Sequence, residues 1–241
     1  METSIGFWIG FVVFILVMLL LDLYVFHKND TEVSTKSALK WSLFWIGLAL
    51  AFNAGIYFMG DPVTGKQKAM EFFTAYLIEK SLSVDNLFVF LMIFGFFNIQ
   101  AKYQHKILFW GIIGAIVMRA IFIFAGVALI REFAWIMYIF GLILIYSGIH
   151  LMVKKDEAED FNPEKNIAVK LFKRLMPVSN DPAASTFFVR DNKVLYATSL
   201  FIALLLIEVS DLIFAIDSIP AVLSVSKDPF IVYTSNIFAI L

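Results

Sequence analysis

The sequence predicts an all-α protein, a polytopic bundle of transmembrane helices. Composition and pattern agree on this. Hydrophobic residues make up 61% of the 241 and charged residues only 16%, against about 45–50% and about 25% in an ordinary water-soluble domain. Mean hydropathy is +0.84. The apolar residues are gathered into uninterrupted runs of around twenty, the length that crosses a bilayer core. The net charge of −1 says little about partners. With no basic patch interleaved with aromatics, nucleic acid is not an expected partner. Cysteine is absent, which removes disulfides, thiolate metal sites and cysteine nucleophiles from these residues.

The predicted spans are about 5–26, 41–59, 70–97, 107–130, 133–153 and 194–219, with a partial seventh over 229–241, all in one membrane domain, 1–241. The first run, Ile5–Leu21, follows "METS", which has no Lys or Arg, and is followed by Asp22 with no small-residue cleavage site. It reads as a retained helix and not as a signal peptide. The seventh run holds 12 residues from Phe230, fewer than the ~20 a spanning helix needs, so the chain reads as C-terminally truncated.

The one sizeable polar segment is loop 154–193. It opens with "KKDEAED", a solvated linker by composition. "NIAVKLFKRLMP" then sets Ile167, Leu171 and Leu175 at i, i+4 spacing opposite Lys170, Lys173 and Arg174. That pattern predicts a short interfacial helix over 166–177, lying on an anionic leaflet as a surface anchor. "FFVRDNKVLY" predicts a hairpin turning at Asp191–Asn192. Of the 19 Lys and Arg, 13 fall in the loops after spans 1, 3 and 5, while Lys66, Lys68, Arg131 and Lys227 lie on the other side. The positive-inside rule then puts the N-terminus outside and loop 154–193 in the cytoplasm.

Acidic residues at depth are the anomaly. Asp22, Glu79, Asp85, Glu208, Asp211 and Asp217 all fall within spans. An ionised Asp at a helix centre costs roughly 2.5–3.5 kcal/mol, so the last five, unpaired, would cost on the order of 12–18 kcal/mol. A whole domain is stable by only about 5–15 kcal/mol. Only two cations, Lys80 and Arg119, lie inside spans, and two cannot neutralise five. Both suit the part of charge partner better than that of ligand, since cations repel a divalent ion; Lys80 is also a candidate stand-in cation for the site. A buried polar network with these two is the structural alternative to a functional site. Asp22, near the end of its span, has the simpler options of snorkelling or pairing with Lys28.

Two of the acid-bearing stretches echo each other: "LIEKSLSVDNLFVF" in span 3 and "LIEVSDLIFAIDSIP" in span 6. By the loop charges they run in opposite directions. That predicts two inverted three-helix repeats, each with acids on its third helix, as in transporters built from such repeats. Glu79, Ser83 and Asn86 share a helical face, with Asp85 about 120° away; Glu208 and Asp211 share another, with Asp217 nearly opposite Glu208. All five acids converge only if a helix breaks or more than one subsite exists, and Pro220 is the candidate break. Carboxylates with Asn86, Ser218 and freed carbonyls form an all-oxygen donor set suited to Mn²⁺, Ca²⁺ or Mg²⁺. The three histidines, His27, His105 and His150, lie in loops or at a span end.

"YLIEKSLSVDNLFVF" and "IEVSDLIFAIDSIPA", with "FFVRDNKVLYAT" ahead of the second, resemble the TerC family, nearest its Alx-type members. The resemblance extends to Asp22, to "MRAIFIFAG" around Arg119 and to "SNIFAI" near the end; members of the family continue past this point with further helices. It implies an inner-membrane protein of manganese homeostasis, with Alx-type members exporting Mn²⁺, and links to tellurite resistance and to metalation of exported enzymes. By motif it implies metal-pathway roles for Glu79, Asp85, Glu208, Asp211 and Asp217, with Asn86 and Ser218 as weaker additions.

The expected function is divalent metal transport, foremost Mn²⁺ export by alternating access, with protons competing for the same acids. The alternative is a membrane metal-delivery or assembly partner. The expected partners are the metal ion and the lipid bilayer, with a secretion complex or further copies of the chain left open. No prosthetic group and no enzymatic activity are expected: no hydrolase motif of the Ser–His, HExxH or paired-aspartate kind is present.

Overall fold

The structure, a computed structural model, describes residues 5–21, 35–153, 166–179, 185–191 and 193–241, and does not extend to the side chains of Thr35, Met59, Asp85, His150 or residues 151–153. The expectations placed on Asp22, His27, Lys28, His150 and the linker 154–165 therefore lie outside the described residues, as does the side chain of Asp85. Among the described residues the chain forms eight helices and one hairpin: α1 Ile5–Leu21, α2 Thr35–Met59, α3 Thr64–Phe96, α4 Ala101–Glu132, α5 Ile136–Val153, α6 Ile167–Leu175, β1 Phe188–Asp191, β2 Val194–Ala197, α7 Ser199–Val225 and α8 Pro229–Ile240. It is an all-α membrane helix bundle.

The long helices outrun their apolar segments. Polar leaders such as "TKSALK", "TGKQKA" and "AKYQHK" open α2, α3 and α4, because lysine, glutamine and alanine are good helix formers whatever their hydropathy. At 33 residues, α3 is about 50 Å long, against a hydrocarbon core of about 30 Å. Three helices have the length and apolar content to cross a membrane, over Lys36–Phe58, Ala101–Glu132 and Ser199–Val225; Ile5–Leu21, Ile136–Ile149 and Pro229–Ile240 are shorter apolar helices. The charges on α3, from Lys66 to Asp85, dilute its hydropathy, yet it sits centrally, packed against α2, α7 and α8.

Two apolar clusters form the core. One gathers Phe72, Ala75 and Tyr76 of α3 with Ile123 and Val127 of α4, Ile219 and Leu223 of α7, and most of α8. Rings of α1 join it, with Phe11 stacked edge-on to Phe230 and Phe238. The second gathers Ile93 and Phe94 of α3 with Ile107 of α4 and Leu200, Ala203 and Leu206 of α7. On α3 and α7 the buried charged residues Glu79 and Asp211 fall between the buried residues of the two sets, while on α4 Arg119 lies among residues of the first.

Connections between the helices are short and capped. α3 ends in a Schellman motif: Ile99 N donates to Phe94 O at 3.0 Å and Asn98 N to Gly95 O at 3.2 Å, with Asn98 at φ 49° in the place glycine usually takes. At the other end of α3, Lys68 Nζ meets Asp228 Oδ2 at 2.5 Å and Ser226 Oγ donates to Glu71 Oε2 at 2.6 Å. Asp228 also caps α8 through the amide of Phe230, at 3.0 Å. These bonds tie the α7–α8 connection to the first turns of α3.

One sequence expectation needs correction, and another gains a second face. Asp191 pairs with Val194, so the hairpin turns one residue later than predicted, with Lys193 at φ 67°. In α6 it is Val169 that is buried and Phe172 that packs against Phe201 of α7, ring centroids 4.9 Å apart. The predicted stripe of Ile167, Leu171 and Leu175 is left exposed, at 82%, 57% and 79%. The helix docks on the bundle by one face and carries a second apolar face outward.

Asn98→Val should destabilise the protein by about 1–2 kcal/mol, the usual cost of a left-handed conformation for a side-chain-bearing residue, whereas Asn98→Gly should not. Thermal unfolding in detergent, followed by helical circular dichroism, reads the difference.

Candidate functional site

Arg119 is the centre of the site. It is 1% exposed and the largest fully buried side chain among the described residues. Its guanidinium grips Asp211 of α7 at two points, Nη2 donating to Oδ1 at 2.7 Å and Nε to Oδ2 at 3.3 Å. Nη1 donates to Asn236 Oδ1 of α8 at 2.7 Å and to Glu79 Oε1 of α3. One planar donor fork from α4 thus joins three other helices, a task an ammonium cannot perform in the same way.

The grouping leaves an imbalance. Two buried carboxylates face one guanidinium, which with both acids ionised leaves a formal charge of −1 inside an apolar bundle. Several polar atoms at or near the group have no partner among the described residues: Glu79 Oε2, Asn236 Nδ2 and Asn86 Oδ1, with Ser218 Oγ further along α7. Buried polar atoms are rarely left so.

A cavity of about 330 Å³ reaches this group. Arg119 and Asp211 stand at one part of its wall, and Lys80, Asn86, Phe90, Leu108 and Ile240 line the rest. It extends from the charged layer toward the end where α3 stops and α4 begins. Ser83, on the face of Glu79 and Asn86, also lines it.

Glu208, one turn along α7 from Asp211, is half-buried and rests on the backbone of α4. A Cβ added at Gly114 would fall on the Glu208 carboxylate, and one at Gly111 would come within 3.2 Å of Ile207 Cγ2. Small residues at Gly111, Gly114 and Ala115 let the two helices lie close, and Gly114 is the seat of the acid.

The four acids whose side chains the structure describes, Glu79, Glu208, Asp211 and Asp217, do not all converge. α7 runs unbroken from Ser199 to Val225 with Pro220 inside it, so Asp217 keeps the roughly opposite azimuth a regular helix gives it. Its Oδ1 accepts from Ser147 Oγ of α5 at 2.8 Å. Pro220 removes one backbone donor without ending the helix. Among the described residues no group of three or more His, Cys, Asp or Glu side chains is arranged to hold a metal ion. Asn86 lies at the cavity; Ser218, buried and unpartnered, lies two turns beyond Asp211 on the same face. Lys80 takes a different part from the one expected: Nζ donates to Ala239 O at 3.0 Å, holding the carbonyl end of α8, where cations are favoured.

Sequence reasoning missed Asn236 and Ser147. A signal for the first existed: Thr234, Ser235 and Asn236 are polar residues in succession in an apolar helix, and all three are fully buried.

Asn236→Leu should cost about 1.5–3 kcal/mol, the range for a hydrogen bond to a charged group. Ser235→Ala should cost far less, because that hydroxyl bonds only to Val232 O of its own helix, at 3.1 Å. Paired thermal scans of the two variants make the comparison.

The model of the "Integral membrane protein TerC family" matches residues 64–241. An uncharacterized membrane protein of Myxococcus xanthus is 49% identical over 99% of this chain and 73% of its own length. One from Rickettsia conorii is 44% identical over 97% of this chain and 76% of its own. In Escherichia coli K12 the similar protein, 42% identical over 97% of this chain and 74% of its own, is named as a proposed membrane-bound redox modulator, Alx. No solved structure matches. With a family model covering residues 64–241 and relatives similar over nearly the whole chain, this protein belongs to the TerC family of integral membrane proteins.

Proposed function

We propose that the protein carries a divalent metal cation across the membrane, with Mn²⁺ as the ion, export as the direction and alternating access as the mode. One observation supports this above the others. Two buried carboxylates on different helices, Glu79 and Asp211, share a single guanidinium, and Arg119 and Asp211 line a cavity that reaches this group. Ionisable groups at membrane depth are expensive, and pathways for ions are the usual reason they are kept. Carboxylate and amide oxygens, with Glu208 and Asn86 close along the same helices, form a hard donor set that suits Mn²⁺, Mg²⁺ and Ca²⁺. The choice of Mn²⁺ among these rests on the family resemblance. Asp217 with Ser147 and Ser218 would form a separate step of the path, since α7 is not broken. Protons compete for the same carboxylates, and their entry would release the ion.

A second reading is a membrane partner that delivers metal for the metalation of exported proteins or for tellurite resistance. It is favoured by the scatter of the acids, which form no ready-made group of three among the described residues. The redox role in the name of the Alx relatives has no thiol to work with in these 241 residues, as cysteine is absent. No enzymatic activity is proposed.

The proposed setting is the inner membrane with the N-terminus outside, by the distribution of Lys and Arg. There α6 would lie at the cytoplasmic leaflet, its exposed Ile167, Leu171 and Leu175 among acyl chains and Lys170, Lys173 and Arg174 at the headgroups.

Purified protein in liposomes should move Mn²⁺ down an imposed gradient, read by a trapped metal-sensitive dye. Asp211→Asn and Glu208→Gln should each lower the rate at least tenfold. Absence of flux from well-folded wild-type protein would remove the transporter reading in favour of the delivery partner. For sidedness, the lack of native cysteine makes Val194→Cys a clean probe: an impermeant maleimide should label it in inside-out vesicles and not in intact cells. The reverse pattern would invert the topology.

A further inference from the structure

Lys80 is the residue in which the sequence suggested a stand-in cation, yet its Nζ is bound to the carbonyl of Ala239. The part falls instead to Arg119. We propose that Arg119 is a tethered competitor of the transported cation: its guanidinium and the metal ion take turns on the carboxylates of Glu79 and Asp211. This rests on the metal-transport reading above and adds to it how the site lets its cargo go.

The argument is one of geometry and charge. Arg119 occupies both oxygens of Asp211 and one oxygen of Glu79, so a cation bridging these acids must displace it. The second oxygen of Glu79 has no partner among the described residues, and neither has Oδ1 of Asn86, which is 5% exposed and lines the same cavity. One unused acceptor thus belongs to an acid that is in use, and a second lines the cavity that Asp211 also lines, which a purely structural ion pair does not require. With both acids ionised, a divalent ion would balance the two carboxylates, where one guanidinium leaves a formal charge of −1. Each state has a cost the other relieves: with Arg119 in place the negative charge is in excess, and with the metal in place the guanidinium loses its partners. Two states of comparable energy are what a carrier needs, because an ion bound without competition is not released.

A structural pair predicts something different. It would hold α3, α4, α7 and α8 together and nothing more, and its loss would weaken binding and fold alike, as removal of one partner of a buried pair generally does.

The test is Mn²⁺ binding to the purified full chain in detergent, read by the electron paramagnetic resonance signal of free Mn²⁺, together with flux in liposomes. Arg119→Gln should bind Mn²⁺ at least tenfold more tightly than wild type while carrying it at least tenfold more slowly. Arg119→Lys keeps the charge but loses the fork, and should fall between the two on both measures. Unchanged affinity in either folded variant, or loss of affinity and flux together, overturns the proposal. Should Arg119→Gln fail to fold, Arg119→Lys decides alone: affinity raised above wild type supports the exchange, and affinity equal to or below it overturns it. Wild-type protein that neither binds nor moves Mn²⁺, Mg²⁺ or Ca²⁺ would instead bring down the transport reading on which the proposal stands. Wild-type flux with Arg119 variants of unaltered affinity brings down the proposal alone.

Discussion

Placing a guanidinium in the middle of a bundle of apolar helices commits the surrounding chain to satisfying it. Arg119 has five N–H donors and no way to shed its charge, so helices around α4 must bring acceptors to it. They do so from three directions: Glu79 from α3, Asp211 from α7 and Asn236 from α8. The angular register of each of these helices is set by the need to aim one side chain at one point. Apolar contacts alone specify register weakly among Leu, Ile and Phe, because many rotations bury similar area. The charged layer supplies the specificity, and the apolar clusters on either side supply most of the buried surface.

The same layer interrupts the apolar core on α3 and α7, where buried residues of the two clusters stand on opposite sides of Glu79 and Asp211. Ion pairs can be exchanged for others of similar energy, while tightly packed apolar surfaces have few alternatives.

Much of this could be read from the chain. The class followed from apolar runs whose length matches a bilayer, and the acids stood out because membrane depth makes each one costly. Periodicity placed Glu79 with Asn86, and Glu208 with Asp211, and the unbroken helices α3 and α7 keep those groupings. What could not be read was pairing between helices. Nothing in the local sequence says that Lys80 reaches the end of α8 while Arg119, forty residues further on, takes Glu79. The break at Pro220 was inferred from a rule about a missing donor, but a helix flanked by other helices tolerates one unmade bond. In α6 the docking of Val169 and Phe172 on the bundle could not be read, because the stripe of Ile167, Leu171 and Leu175 accounts for an amphipathic surface helix without it. Asn236 went unassigned because the polar run Thr234–Asn236 marks a polar site on α8 without naming Arg119 as its partner.

Gly114 has a significance beyond close packing. With no side chain there, the nearest neighbour of the α4 backbone is a carboxylate, that of Glu208, and not a methyl group. At most helix crossings a small slide or rotation is felt first as steric contact between hydrocarbon atoms. At this one it is felt as a change in the surroundings of a charge. A slide of α4 against α7 at Gly114 therefore alters the surroundings of a carboxyl group, and the crossing ties the position of a backbone to the local electrostatic potential.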